Sequence, residues 1–214
     1  MALFQRLLVY VAVSALLLLI GVQMGLIERL FIYFPEAEVV GTPADWGMPY
    51  EEASLTASDG VRLHGWLVPG EKRVGWIWLH GNGGNVGHRL EQLKLLHDAL
   101  GVTILLFDYR GYGRSEGTPS EEGTYRDAEA ALAYLRSRPE VDPERIVYNG
   151  HSLGAPIAAE LAARHPPYAL VLESPIDSIP QMARRAYPLL PPLDILLRTT
   201  YDTVAKVRSL TRPL

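Results

Sequence analysis

Past residue 50, short and nearly unbroken apolar runs alternate with stretches of helical spacing. Residues 74–79 and 102–108 are too short for helices and nearly apolar throughout, so they read as buried strands, the second ending in Asp108. Residues 145–148 and 169–172 read the same way. Between them, Leu90, Leu93, Leu96, His97 and Leu100 fall on one face of a helix. Ala128, Ala131, Leu132 and Leu135 do so again, behind Ser120 as N-cap. A third helix covers residues 156–163. Ahead of these, residues 51–56 and 61–68 form a hairpin around Ser58, Asp59 and Gly60, with Val61, Leu63 and Leu67 on one face. Strand followed by helix, repeated along the chain, predicts an α/β fold: a mostly parallel sheet with helices on both faces. Ligands of such sheets bind beyond the carboxyl ends of the strands, where His80, Asp108, Ser152 and Glu173 are expected to converge on one rim.

The N-terminal pattern is different. Residues 7–27 carry no charge; Arg6 precedes them, and Glu28 and Arg29 follow. As a helix, this run would be about 30 Å long, the thickness of a bilayer core. It predicts a single transmembrane anchor over residues 1–29, followed by a globular domain over residues 30–214. A cleaved signal peptide is the rival reading, opposed by the length of the run and the lack of an Ala-x-Ala-like site. Arg6 favours a cytoplasmic N-terminus, which would put the domain on the non-cytoplasmic side. Residues 30–35 stay apolar and either lie at the membrane interface or pack on the domain. Residues 41–50, with their prolines and glycines, read as linker.

Composition narrows the picture further. At 48% hydrophobic and 21% charged over 214 residues, the chain can bury a sizeable core. A net charge of −4 without a basic run excludes nucleic-acid binding. The absence of cysteine removes disulfides, thiolate metal sites and a cysteine nucleophile. No metal ligand or cofactor is assigned.

The chemistry centres on Gly150-His151-Ser152-Leu153-Gly154, placed between a strand and a helix. In this Gly-x-Ser-x-Gly setting the turn is a nucleophile elbow, tight enough that Gly150 and Gly154 cannot carry bulk, and it presents the Ser152 hydroxyl above the sheet. His80-Gly81-Asn82-Gly83-Gly84-Asn85 ends the first parallel strand. It could cradle phosphate, but it lacks the Lys-Ser/Thr ending of a P-loop. His151 sits beside Ser152 in sequence but on the other side of the corner, so it reads as packing. His64, His88, His97 and His165 read as surface or satisfied core residues.

These motifs, together with residues 107–115 (Phe-Asp-Tyr-Arg-Gly-Tyr-Gly-Arg-Ser) and 172–175 (Leu-Glu-Ser-Pro), resemble the α/β-hydrolase superfamily over residues 30–214. The resemblance is greatest to its small, N-terminally membrane-anchored branch, which includes protein depalmitoylase-like and serine-aminopeptidase-like members. It implies a serine hydrolase of esters, thioesters or amides, working through an acyl-enzyme on Ser152. The oxyanion would be held by the backbone N–H groups of Asn82 and Leu153, with Gly81 and Gly83 allowing close approach. Asp108 and Arg110 would be scaffold. A cap-like segment over residues 176–206, rich in proline and leucine, implies a substrate with an acyl or other apolar part; a packed surface segment or a second membrane contact are the rivals. In this family an acid and then a histidine follow the serine along the chain. Residues 209–214 look like the lead-in to the strand before that acid, so a C-terminal truncation of about 60 residues is expected, with both triad partners beyond it. The alternative is a catalytically inactive, membrane-tethered binding module of the same fold.

Overall fold

A computed structural model describes residues 2–23, 31–188 and 199–210. Helix α1 covers Ala2–Gln23. The expected membrane-spanning stretch, 7–27, runs past this helix into positions outside the described residues. Among the described residues no helix is long and apolar enough to cross a membrane, so the expected transmembrane helix is not found among them. The helix nevertheless displays large apolar side chains, including Leu7, Tyr10, Val11, Leu16 and Leu17, each more than half exposed.

One open reading in this region is decided and one expectation changes. Ile32 and Tyr33 are buried in the main core, so the segment after residue 30 packs on the domain. The linker expected at 41–50 is folded: Pro43–Trp46 form a 3₁₀ turn. The Thr42 backbone N–H donates to Asp45 Oδ2 (2.7 Å), and Gly47, at φ 70°, ends the turn in a left-handed conformation. Pro43 and Met48 are buried. Prolines and glycines here shape a packed turn and do not loosen the chain.

The sheet contains β1 (Glu51–Thr56), β2 (Arg62–Val68), β3 (Lys72–Leu79), β4 (Val102–Phe107), β5 (Ile146–His151) and β6 (Ala169–Glu173). Their spatial order is β1-β2-β4-β3-β5-β6. The β1–β2 and β2–β4 pairs are antiparallel; β4, β3, β5 and β6 run parallel, with Ile77 opposite Leu105 and Tyr148. Every residue of β4 is buried, as its unbroken apolar pattern requires.

Helices α2 (Leu90–Leu100), α3 (Glu121–Arg136) and α4 (Gly154–Arg164) connect the parallel strands. Alternate strand residues supply two apolar layers. Ile77, Leu79, Leu105 and Phe107 meet Ala128, Leu132, Ile157 and Leu161 from α3 and α4. On the other face, Trp78, Ile104 and Leu106 meet Leu90 and Leu93 from α2. Ser120 caps α3 by accepting from the Gly123 N–H (3.1 Å).

The cap-like region is described only in part, since residues 189–198 lie outside the described residues. Its described parts include α5 (Ile179–Ala186) and α6, which spans Thr203–Ser209. The Glu121 carboxylate accepts from the backbone N–H groups of Thr200 and Tyr201 (2.6 and 2.8 Å), tying this segment to the start of α3. The Tyr201 hydroxyl, fully buried, meets those of Tyr33 (3.1 Å) and Thr124 (2.8 Å). Of the strand lead-in expected at 209–214, Ser209 closes α6 and 211–214 lie outside the described residues.

Candidate active site

Between the end of β5 and the start of α4 the backbone turns through Ser152 at φ 51°, in the left-handed region that L-residues avoid at a cost of about 1–2 kcal/mol. The corner is pinned on both sides. The Ser152 N–H donates to the Glu173 carbonyl (2.9 Å), and its carbonyl accepts from Ala155 N–H (3.0 Å). Gly154 lies so close to β3 that a Cβ there would sit 1.9 Å from the Leu79 carbonyl oxygen, and a Cβ on Gly150 would sit 2.4 Å from the Gly154 oxygen. Both glycines are therefore demanded by the close approach expected from the motif. Because the strain is local to Ser152, a Ser152→Gly variant is expected to be more stable. The gain should be roughly 0.5–1 kcal/mol once the added chain entropy of glycine is deducted. Denaturant melts check this, and a loss of stability would count against strain at the corner.

The loop after β3 lies against this corner. A Cβ on Gly81 would fall 2.6 Å from His151 Nδ1, so the loop can reach the elbow only with glycine there. His151 is thus the packing residue read from the sequence. Gly83 and Gly84 have φ of 80° and 70°. Asn85 then caps the 3₁₀ turn Val86–Arg89, accepting from Gly87 N–H (3.0 Å). Arg89 Nη2 donates back to the Gly83 carbonyl (2.8 Å). Gly81 packs on His151 and Gly154 packs on the Leu79 carbonyl, so the loop carrying Asn82 and the helix start carrying Leu153 meet at the end of β3.

His80 and Asp108 depart from expectation. Both end their strands as predicted, but neither lines a rim: each is fully buried. The His80 ring packs on Tyr109 at 4.4 Å between centroids, and its Nδ1–H donates to the Gly81 carbonyl (2.8 Å). Burial pushes its pKa down to about 3, so the imidazole is neutral. Its Nε2 lies 3.6 Å from Asp108 Oδ1. Burial pushes the Asp108 carboxyl up to about 7, against the Val86 N–H, which donates to it (2.9 Å) and favours the charged form. Asp108 thus fastens the end of the loop at Val86, while the Tyr109 hydroxyl donates to the His80 carbonyl (2.9 Å) and that of Tyr112 to Asn82 Oδ1 (2.7 Å).

Arg110 is scaffold, as the resemblance implied, but its partners could not be read from the sequence. Its Nε and Nη2 donate to Asp127 Oδ1 (2.9 and 2.8 Å), and its Nη1 donates to Asp59 Oδ2 (2.8 Å). The one sequence clue is an aspartate on the apolar face of α3. Asn149 was also missed; fully buried, it donates to Glu173 Oε1 (2.6 Å) at the foot of the elbow. The other histidines are partnered at the surface, for example His64 Nε2 with Glu52 (2.6 Å). Among the described residues no cluster of acidic and histidine side chains could hold a metal ion, and no side chain hydrogen-bonds to Ser152 Oγ.

Residues 77–204 match the family described as alpha/beta hydrolase fold. The chain belongs to the α/β-hydrolase family. Over 190 residues it is 40% identical to the uncharacterized protein Rv2307c of Mycobacterium tuberculosis, covering 87% of this chain and 67% of that one. It is 40% identical to the alpha/beta hydrolase domain-containing protein WAV2 of Arabidopsis thaliana over 70% of this chain and 50% of that one. The chain therefore spans about half to two-thirds of these relatives. Among solved structures, the esterase Pf2001 of Pyrococcus furiosus superposes with a TM-score of 0.68 at 23% identity, covering 85% of this chain and 75% of that one. An α/β hydrolase of Vibrio vulnificus does so with a TM-score of 0.63 at 27% identity, covering 78% and 62%. In an α/β hydrolase, a serine at this corner stands where a carbonyl carbon can be attacked, beside backbone N–H groups that can receive the developing oxyanion.

Proposed function

We propose that the chain is the nucleophile-bearing part of a serine hydrolase acting on an ester, thioester or amide with an apolar acyl part. Ser152 Oγ attacks the carbonyl carbon; its proton passes to a base and then to the leaving alcohol, thiol or amine. Water later releases the acid from the acyl-enzyme. The N–H groups of Asn82 and Leu153 receive the oxyanion in both steps. The observation carrying this reading is the left-handed φ of Ser152, held by three flanking elements with the Gly81 loop pressed against it. Strain retained at one residue of a well-packed corner is the mark of a functional position.

The reading requires an acid and a histidine from outside the described residues. It also includes membrane attachment through the N-terminal stretch, supported by the exposed apolar side chains of α1. Among the described residues no side chain partners Ser152 Oγ, which favours a second reading, a membrane-tethered binding module without turnover.

In a full-length form that supplies the acid and histidine, a fluorophosphonate probe should label Ser152, located by peptide mass spectrometry, and should not label Ser152→Ala. An unlabelled wild-type protein counts against the hydrolase reading. Ser152-dependent turnover of nitrophenyl esters by the 214-residue chain would eliminate the binding module.

A further inference from the structure

The loop proposed to hold the oxyanion cannot support itself. Two of its residues, Gly83 and Gly84, have left-handed backbones. Such a loop has many accessible conformations, and something outside it must select one. The candidate is the segment Ile32–Glu36, which grips the loop through the side chain of Asn82. Its Oδ1 accepts from the backbone N–H of Phe34 (3.1 Å), the backbone N–H of Gly83 (3.0 Å) and the hydroxyl of Tyr112 (2.7 Å). Its Nδ2 donates to the carbonyl of Ile32.

The segment Ile32–Glu36 lies along the loop like an added rung. Pro35 bridges Gly84 in parallel fashion, and the Glu36 N–H donates to the Gly84 carbonyl (3.3 Å). The segment is itself anchored, because Ile32 and Tyr33 are 6% and 2% exposed. The Glu36 carbonyl also accepts from the Gly113 N–H (3.0 Å) and from Asn85 Nδ2 (3.0 Å). The loop is thus braced between the chain that follows the N-terminal helix and the β4 loop carrying Tyr112.

We propose that the Asn82 carboxamide is a positioning residue, through which the segment Ile32–Glu36 aims the N–H groups of the oxyanion loop. This rests on the proposed hydrolase function and adds a distinct role for the Asn82 side chain. The site needs both halves of an amide. A carboxylate of the same shape accepts but cannot donate, and would face the Ile32 carbonyl with like polarity.

The test uses the same full-length form in three variants besides wild type: Asn82→Asp, Asn82→Ala and Tyr112→Phe. One measurement is backbone amide exchange. In Asn82→Asp and Asn82→Ala, the amides of Phe34 and Gly83, which donate to the Asn82 side chain, should exchange about tenfold faster or more, with β5 and α3 unchanged. The other is phosphonate labelling resolved into binding and reaction steps. The maximal rate should fall by about 10–100-fold, since a misplaced oxyanion donor costs up to 10²–10³, while the half-saturating probe concentration stays within about threefold. Tyr112→Phe removes only one bond and should show both effects more weakly; it keeps the test decisive if the Asn82 variants fail to fold. Labelling at the wild-type maximal rate in a folded Asn82 variant overturns the inference, as do unchanged loop amides. If wild-type protein is not labelled at all, the hydrolase reading fails, and amide exchange still decides whether Asn82 fastens the loop.

Discussion

Between pH 4 and pH 7 the protein is expected to lose about 3 kcal/mol of stability relative to an Asp108→Asn variant. In the folded protein the Asp108 carboxyl is fully buried at the end of β4, and burial raises its pKa from 3.8 to about 7. The folded state therefore keeps a proton that the unfolded chain gives up from pH 3.8 onward. Its stabilising contribution is complete below 3.8 and is lost as pH climbs through about 7. Two cations, Arg89 and Arg114, favour the charged form of the carboxyl, and the neutral His80 ring stands 3.6 Å away. His80 acts in the opposite sense. Its pKa is depressed from 6.5 to about 3, so its contribution is present above 6.5 and is lost as pH falls through about 3. Wild type and Asp108→Asn share that histidine, so the difference between their stability curves isolates the carboxyl. Urea melts of both proteins from pH 4 to 8 measure it. Parallel curves would show that Asp108 titrates as an ordinary exposed aspartate and is not sealed beneath the loop.

Asp127→Ala is expected to cost about 3–5 kcal/mol, the typical effect of removing one partner from a buried ion pair. Asp127 lies fully buried on the inner face of α3 and accepts three bonds from Arg110: backbone N–H at 2.9 Å, Nε at 2.9 Å and Nη2 at 2.8 Å. Without it, the guanidinium would stay in the protein interior with Asp59 alone. Asp59 has 28% of its side chain exposed and is shared with Arg126, so Asp59→Ala should cost less, about 1 kcal/mol. Leu at 127 combined with Met at 110 should recover most of the loss, because an apolar pair leaves no charge uncompensated. Chemical denaturation of the four proteins gives the answer. A cost below about 1 kcal/mol for Asp127→Ala would mean that water reaches Arg110 and that the network is not buried.

The elbow and the parallel strands were legible because their causes are local. A strand buried on both faces needs an unbroken apolar run, and β4 has one in Val102–Phe107. A corner as tight as that at Ser152 needs glycine on either side wherever it occurs. The supposed linker at 41–50 misled for the converse reason. Proline and glycine mark a turn, but only the apolar layer around Met48 shows that the turn is packed.

Read alone, the chain determined the α/β class, the order of its elements, the elbow serine and the glycine-rich loop, since each is written in neighbouring residues. The tertiary structure alone decided what surrounds that serine. It sealed His80 and Asp108 under the loop and turned residues 32–36 into a brace. It also joined Arg110 to Asp59 and Asp127, and Asn82 to Ile32, Phe34 and Tyr112. Those partners stand far apart along the chain and meet only when β4 inserts between β2 and β3 and the N-terminal segment folds back across the sheet. A hydrogen bond is set by distance and direction in space, and no local pattern of residues encodes either across such a separation.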